Sequence, residues 1–221
     1  MIAHKKYEIL RGSEHVCTTH YGKPLYRIRS LRNFVDVSKG DLGGFVEHEG
    51  NLSHYGVAWV YDNARVYGNA QVSGNAQVSG DALVGYSSAV IGGAATAGDD
   101  ARVFDNARVY GNARVLDSAL VFGGARVYGD SVVYDYARVY DNAIVCGGAV
   151  DAPVARVGGS AVVCGQAAVY DGAQLRDDAR VFENARVYGC AEVFGNARVY
   201  GSARVYGDAE MDAPEGCHTD K

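Results

Sequence analysis

From Ala58 the chain repeats itself every six residues. Ala58-Trp59-Val60-Tyr61-Asp62-Asn63 is followed by Ala64-Arg65-Val66-Tyr67-Gly68-Asn69, and the same register continues. Seven hexads reach Asp99, Asp100 reads as one extra residue, and nineteen further hexads run from Ala101 to Pro214. Self-similarity at a fixed period restricts the fold more than any other sequence property. A period of six does not match the 3.6-residue turn of a helix, and hairpin strands have no need of identical hexads.

The consensus Ala-Arg-Val-Tyr-Gly-Asn gives each position a role. Side chains alternate along an extended strand, so Ala and Val share the inward side while Arg and Tyr point outward. Gly with Asn or Asp then supplies a sharp corner containing a left-handed residue. Three such hexads close an eighteen-residue coil, and the twenty-six hexads predict eight to nine stacked coils. The expected fold is all-β: a parallel β-helix spanning 58–214, preceded by a small N-terminal β cap (1–57) and followed by a mobile tail (215–221). In the cap, Tyr7 to Leu10 and Leu25 to Arg29 alternate as strands do, with Tyr21-Gly22-Lys23 as a turn.

These hexads resemble those of the hexapeptide-repeat superfamily, which implies a left-handed winding and assembly as a homotrimer. The general crossover rule alone would favour the right-handed form. Tyr26-Arg27-Ile28-Arg29-Ser30-Leu31, Gly40-Asp41-Leu42-Gly43-Gly44-Phe45-Val46, Asn51-Leu52-Ser53 and Ala58-Trp59-Val60-Tyr61 are similar to a branch of that superfamily labelled putative transferases, found in bacterial and phage genomes. The resemblance covers nearly the whole chain and is specific for fold, not for function.

Composition narrows the partners. A formal charge of −5 argues against broad binding to extended nucleic acid. No run approaches the ~18 apolar residues of a membrane span, and the start Met1-Ile2-Ala3-His4-Lys5-Lys6 lacks the apolar segment of a signal peptide. Five cysteines without CxxC spacing fit a reduced, cytoplasmic protein.

The superfamily resemblance implies an acyltransferase, which would use a His general base. The histidines are His4, His15, His20, His48, His54 and His218, so none lies between Ala58 and Met211. His48 and His54, just before the first clear coil, are the candidates for that alternative. GxSxG, HExxH and GxxxxGK[ST] are missing from the sequence. Neither a cofactor nor a metal is expected, and a non-enzymatic role is favoured.

The outward positions say more. Ala-Arg-Val occurs eleven times, usually followed by Tyr or Phe. Guanidinium beside an aromatic ring suits phosphate contact and stacking, and equally a solvated ladder. Sorted at an eighteen-residue spacing, Val132/Tyr134, Val150/Ala152 and Ala168/Tyr170 form one column, and Ile144/Cys146 with Val162/Cys164 lie on the preceding face. Arg is missing there, so Val132, Tyr134, Ile144, Val150, Val162 and Tyr170 are the expected oligomer interface. The remaining face would hold Arg138/Tyr140, Arg156/Gly158 and Gln174/Arg176, with a gap at Gly158. Arg138, Tyr140, Arg156, Gln174 and Arg176 are therefore the expected ligand-binding residues, in a basic, aromatic notch beside an oligomer seam. Asp151 falls where the repeat demands Val, and Pro153 follows it, which predicts a distorted coil.

The expected function is binding of a small anionic ligand, a nucleotide above all, in clefts between subunits. Sequestration of a nucleotide immune signal by a phage protein is one concrete form. An acyltransferase and a structural rod or scaffold are the alternatives.

Overall fold

Alternation within each hexad dictates what is buried. The inward Ala and Val columns are shielded from solvent, from Ala64 and Val66 through Val139 to Ala197 and Val199. Each buried Val contributes roughly 1.5–3 kcal/mol relative to exposure. The computed structural model describes residues 5–18, 22–85, 90–147 and 154–212. Within the repeats, strands of two to four residues alternate with corners. Each pairs in parallel with the third strand after it, so three sheets form, of 12, 8 and 9 strands. The molecule is a parallel β-solenoid of about nine coils, with a strand-rich N-terminal region.

We name the faces in chain order. The first face begins at Trp59–Val60, the second at Arg65–Val66 and the third at Gln71–Val72. The corners are held by a repeated device. Asp62, Asp99, Asp117 and Asp135 adopt positive φ of 52 to 58°, a conformation that Asp tolerates better than most side chains. Their carboxylates accept backbone N–H groups from the same corner of the next coil, Asp62 from Gly80 at 3.1 Å and Asp117 from Asp135 at 3.1 Å.

Two register steps depart from the sequence expectation. The extra residue does not fall at Asp100. Arg65 pairs with Leu83, eighteen residues on, whereas Gln71 pairs with Val90, nineteen on. It is therefore taken up between the strand Leu83–Gly85 and Val90.

The second step is larger. Val132 pairs with Arg156, Arg138 with Val162 and Ile144 with Ala168, each twenty-four residues on rather than eighteen. A whole hexad is skipped between Gly147 and Arg156. The core explains why: the inward column passes from Val133 directly to Val157, and Asp151 would have put a carboxylate into it. An unpaired buried carboxylate costs several kcal/mol. Val150 and Asp151 themselves lie outside the described residues.

At the N-terminal end, β1 (Tyr7–Ile9), β2 (Val16–Thr18), β3 (Pro24–Ser30) and β4 (Leu42–Val46) form antiparallel pairs that extend the second face, β4 pairing in parallel with Arg65–Val66. Trp59 closes the end of the core, edge-on to Tyr7 and Phe34. Lys6 is fully buried and its Nζ donates to the Ala58 carbonyl at 2.6 Å. No helix among the described residues is long and apolar enough to cross a membrane.

Candidate functional site

Stacked coils turn repeated outward residues into ladders. On the second face Phe104, Phe122 and Tyr140 stack at 5.0 and 4.9 Å between ring centroids, and Phe182 stacks on Tyr200 at 5.4 Å. On the third face Tyr110 stacks on Tyr128, and Tyr170, Tyr188 and Tyr206 form a second run. Such pairs contribute about 0.5–1.5 kcal/mol each beyond burial.

One coil breaks both ladders. It consists of Ile144–Gly147 on the third face, Arg156–Val157 on the first and Val162–Val163 on the second. Its outward aromatic positions are Cys146, Gly158 and Cys164, and two of its three arginine positions are Ile144 and Val162. The same coil contains the skipped hexad. Its three faces solve the loss differently.

On the first face the gap is filled. A Cβ on Gly158 would lie 2.2 Å from Tyr134 Cζ, so the Tyr134 ring covers the glycine. One rung on, Arg176 lies over the Phe194 ring at 4.3 Å and bonds Glu192 at 2.8 Å. On the third face Cys146 lies between Tyr128 and Tyr170, and Ile144 beside Ala168. Burial raises the Cys146 thiol pKa, which keeps it protonated and a poor nucleophile. Burial and the hydrogen bond to Cys146 push Tyr128 up to about 12.

On the second face the gap stays open. Cys164 separates Tyr140 from Phe182, and a hollow of about 210 Å³ is lined by Tyr140, Val162, Cys164, Arg180, Phe182 and Arg198. Arg180 and Arg198 are direct neighbours across paired strands, where like charges repel. A bridging anion would relieve that repulsion. The hydrogen bond to Cys164, with partial burial, pushes Tyr140 up to about 12. On the coils below, Leu120 separates Arg102 from Arg138. A second hollow of about 400 Å³ opens there, lined also by Asp100, Ser118 and Tyr136.

The expected constellations are therefore redistributed. Arg138 and Tyr140 lie on the second face, but Arg156, Gln174 and Arg176 lie on the first, and the gap at Gly158 is occupied by Tyr134. The expected interface strip is also split: Val132 and Tyr134 on the first face, Val162 on the second, Ile144 and Tyr170 on the third. Val150 lies outside the described residues. Both corrections have one cause, the skipped hexad, which sets every later residue one face back from its expected place. Cys164, expected on the face of Cys146, lies on the second face instead, and Arg180, Phe182 and Arg198 beside it escaped sequence reasoning for the same reason. Asp151 was the signal that could have found them.

The candidate bases are held by the cap. His48 Nδ1 accepts the Gly50 N–H at 3.1 Å, and its Nε2 faces the Gly68 carbonyl at 3.0 Å. His54 stacks on Tyr7 at 4.4 Å and accepts the Lys6 N–H, and burial lowers its pKa. Among the described residues no cluster of three or more His, Cys, Asp or Glu side chains could hold a metal ion.

Comparison with known families agrees with the architecture. The model described as the YdcK beta solenoid repeat matches residues 58–74, 70–86, 101–117, 107–123, 137–151 and 191–207. These stretches are thus similar to the repeats of a β-solenoid family. No curated protein matches the sequence.

Proposed function

We propose that the protein is a non-catalytic binder of a small phosphate-bearing ligand, with a nucleotide as the class that fits, held on the second face at the coil of Cys164. The observation carrying this reading is the open hollow at Cys164, with paired Arg180 and Arg198 beside two aromatic rings. Guanidinium forks match phosphate oxygens, and aromatic walls suit a planar ring.

Assembly as a homotrimer belongs to the same proposal. Ile144, Ala168, Cys146 and Tyr170 support it, because two consecutive coils of the third face lack outward arginine there. A left-handed winding and kinship with the hexapeptide-repeat superfamily belong to this reading through the resemblance of the hexads, and a cytoplasmic setting through five cysteines without CxxC spacing. Capture of a nucleotide signal by a phage-encoded protein is a role such a binder would fit.

Calorimetric titration of the full chain with adenosine 5′-monophosphate tests the reading. Arg180→Gln and Arg198→Gln should each weaken binding about tenfold or more, the range for one charge-assisted hydrogen bond. Failure of the wild type to bind, or full binding by both variants, would contradict it. Sedimentation tests the assembly: Ile144→Arg should convert trimers to monomers, because it strands a charge in an apolar seam.

A further inference from the structure

From Phe104 to Tyr200 the second-face ladder is built from rings set one rung apart, and at Cys164 this run lacks one rung. Successive coils are ~4.8 Å apart, so Tyr140 and Phe182, two rungs apart, leave about 10 Å between them. A flat ring inserted midway would lie about 5 Å from each, the spacing the ladder itself uses at 4.9 to 5.4 Å. The small Cys164 side chain forms the floor of this space, and Val162 replaces the arginine that would have reached across it.

We infer that the ligand's aromatic ring replaces the missing rung, intercalating between Tyr140 and Phe182 above Cys164 while its anionic group lies against Arg180 and Arg198. This rests on the anion-binding reading and specifies its ligand class as a flat aromatic ring bearing a negative group. The other two faces of the same coil show why the site is on the second. Tyr134 already fills the first-face gap at Gly158. The third-face gap at Cys146 is bordered by Ile144 and Ala168, which offer no charge to an anion.

Restoring the rung provides the test. Cys164→Tyr returns the aromatic residue found at most equivalent positions, so the ladder should close without disturbing the Ala and Val columns behind it. Cys190→Tyr makes the same change at an exposed corner outside the hollow and serves as the control. Calorimetry compares adenosine 5′-monophosphate with ribose 5-phosphate, which carries the charge but no ring. The nucleotide should bind the wild type and Cys190→Tyr about tenfold or more tighter than the sugar phosphate, the scale of base stacking on aromatic side chains. In Cys164→Tyr that advantage should vanish. Phe182→Leu, which removes one wall without adding bulk, should reduce it and leave ribose 5-phosphate unchanged.

Equal affinity of the two phosphates for the wild type would overturn the intercalation site and leave the anion-binding reading standing. So would a nucleotide advantage that survives both Cys164→Tyr and Phe182→Leu. If neither phosphate binds the wild type, the anion-binding reading fails and the ring site fails with it.

Discussion

The Asp135 carboxylate accepts the Gly159 backbone N–H at 2.9 Å, across twenty-four residues. At the corner one coil earlier, Asp117 accepts from Asp135 across eighteen. The bond keeps its geometry while the chain between its partners lengthens by one hexad, so the stack absorbs the extra residues without losing a corner. Everything proposed for the site depends on this step, because it decides which outward residues share a face.

Deleting residues 148–153 should therefore be tolerated. It leaves Gly147 joined to Val154 and restores an eighteen-residue spacing through the coil that breaks the ladders. The variant should be soluble and melt within a few degrees of the wild type. A protein that no longer folds would show that the skipped hexad supports the stack.

The core prediction is the opposite in sign. Val139 is fully buried between Val121 and Val163. Val139→Asp places an unpaired carboxylate there, at a cost of several kcal/mol. The middle coils should unfold, seen as loss of β-sheet circular dichroism or as insoluble protein. A soluble variant with unchanged melting temperature would refute the inward assignment.

Burial, with Arg32 nearby, lowers the Lys6 pKa from its ordinary 10.5 to about 8. Between these values the unfolded chain holds a proton that the folded chain has released, so stability from this group rises with pH from about 8 to 10.5. Below pH 8 the buried charge is a penalty. The stability of the wild type relative to Lys6→Met, measured by urea unfolding, should increase across that window. A difference independent of pH would show that Lys6 titrates as an exposed lysine.

The sequence and the structure part company at identifiable residues. Alternating Ala and Val, with Gly or Asp corners, made the stacked three-faced architecture legible, because those constraints are local and repeat. Facing relationships between coils are not local, and a single skipped hexad rewrites them. Residues 149–154 scan as one more repeat, since Ala149 satisfies its first position and Val150 stands where Val132 and Val162 stand in other hexads. Asp151 does not satisfy the third, and burial decides the outcome. The notch assembled from Arg138, Tyr140, Arg156, Gln174 and Arg176 accordingly came apart. Arg138 and Tyr140 remain on the second face beside its two hollows. Gly158 was read as a space because sequence alone does not show which way the Tyr134 ring leans.

The most direct test of the account is protection of Cys164. The full chain is treated with iodoacetamide, with and without saturating adenosine 5′-monophosphate, and labelling is read peptide by peptide by mass spectrometry. Cys164 is half-buried at the floor of the second-face hollow, and Cys190 is exposed outside it. The nucleotide should slow labelling of Cys164 and leave Cys190 and Cys146 unchanged. Labelling of Cys164 at the same rate in both conditions, with the nucleotide shown to be bound, would contradict it.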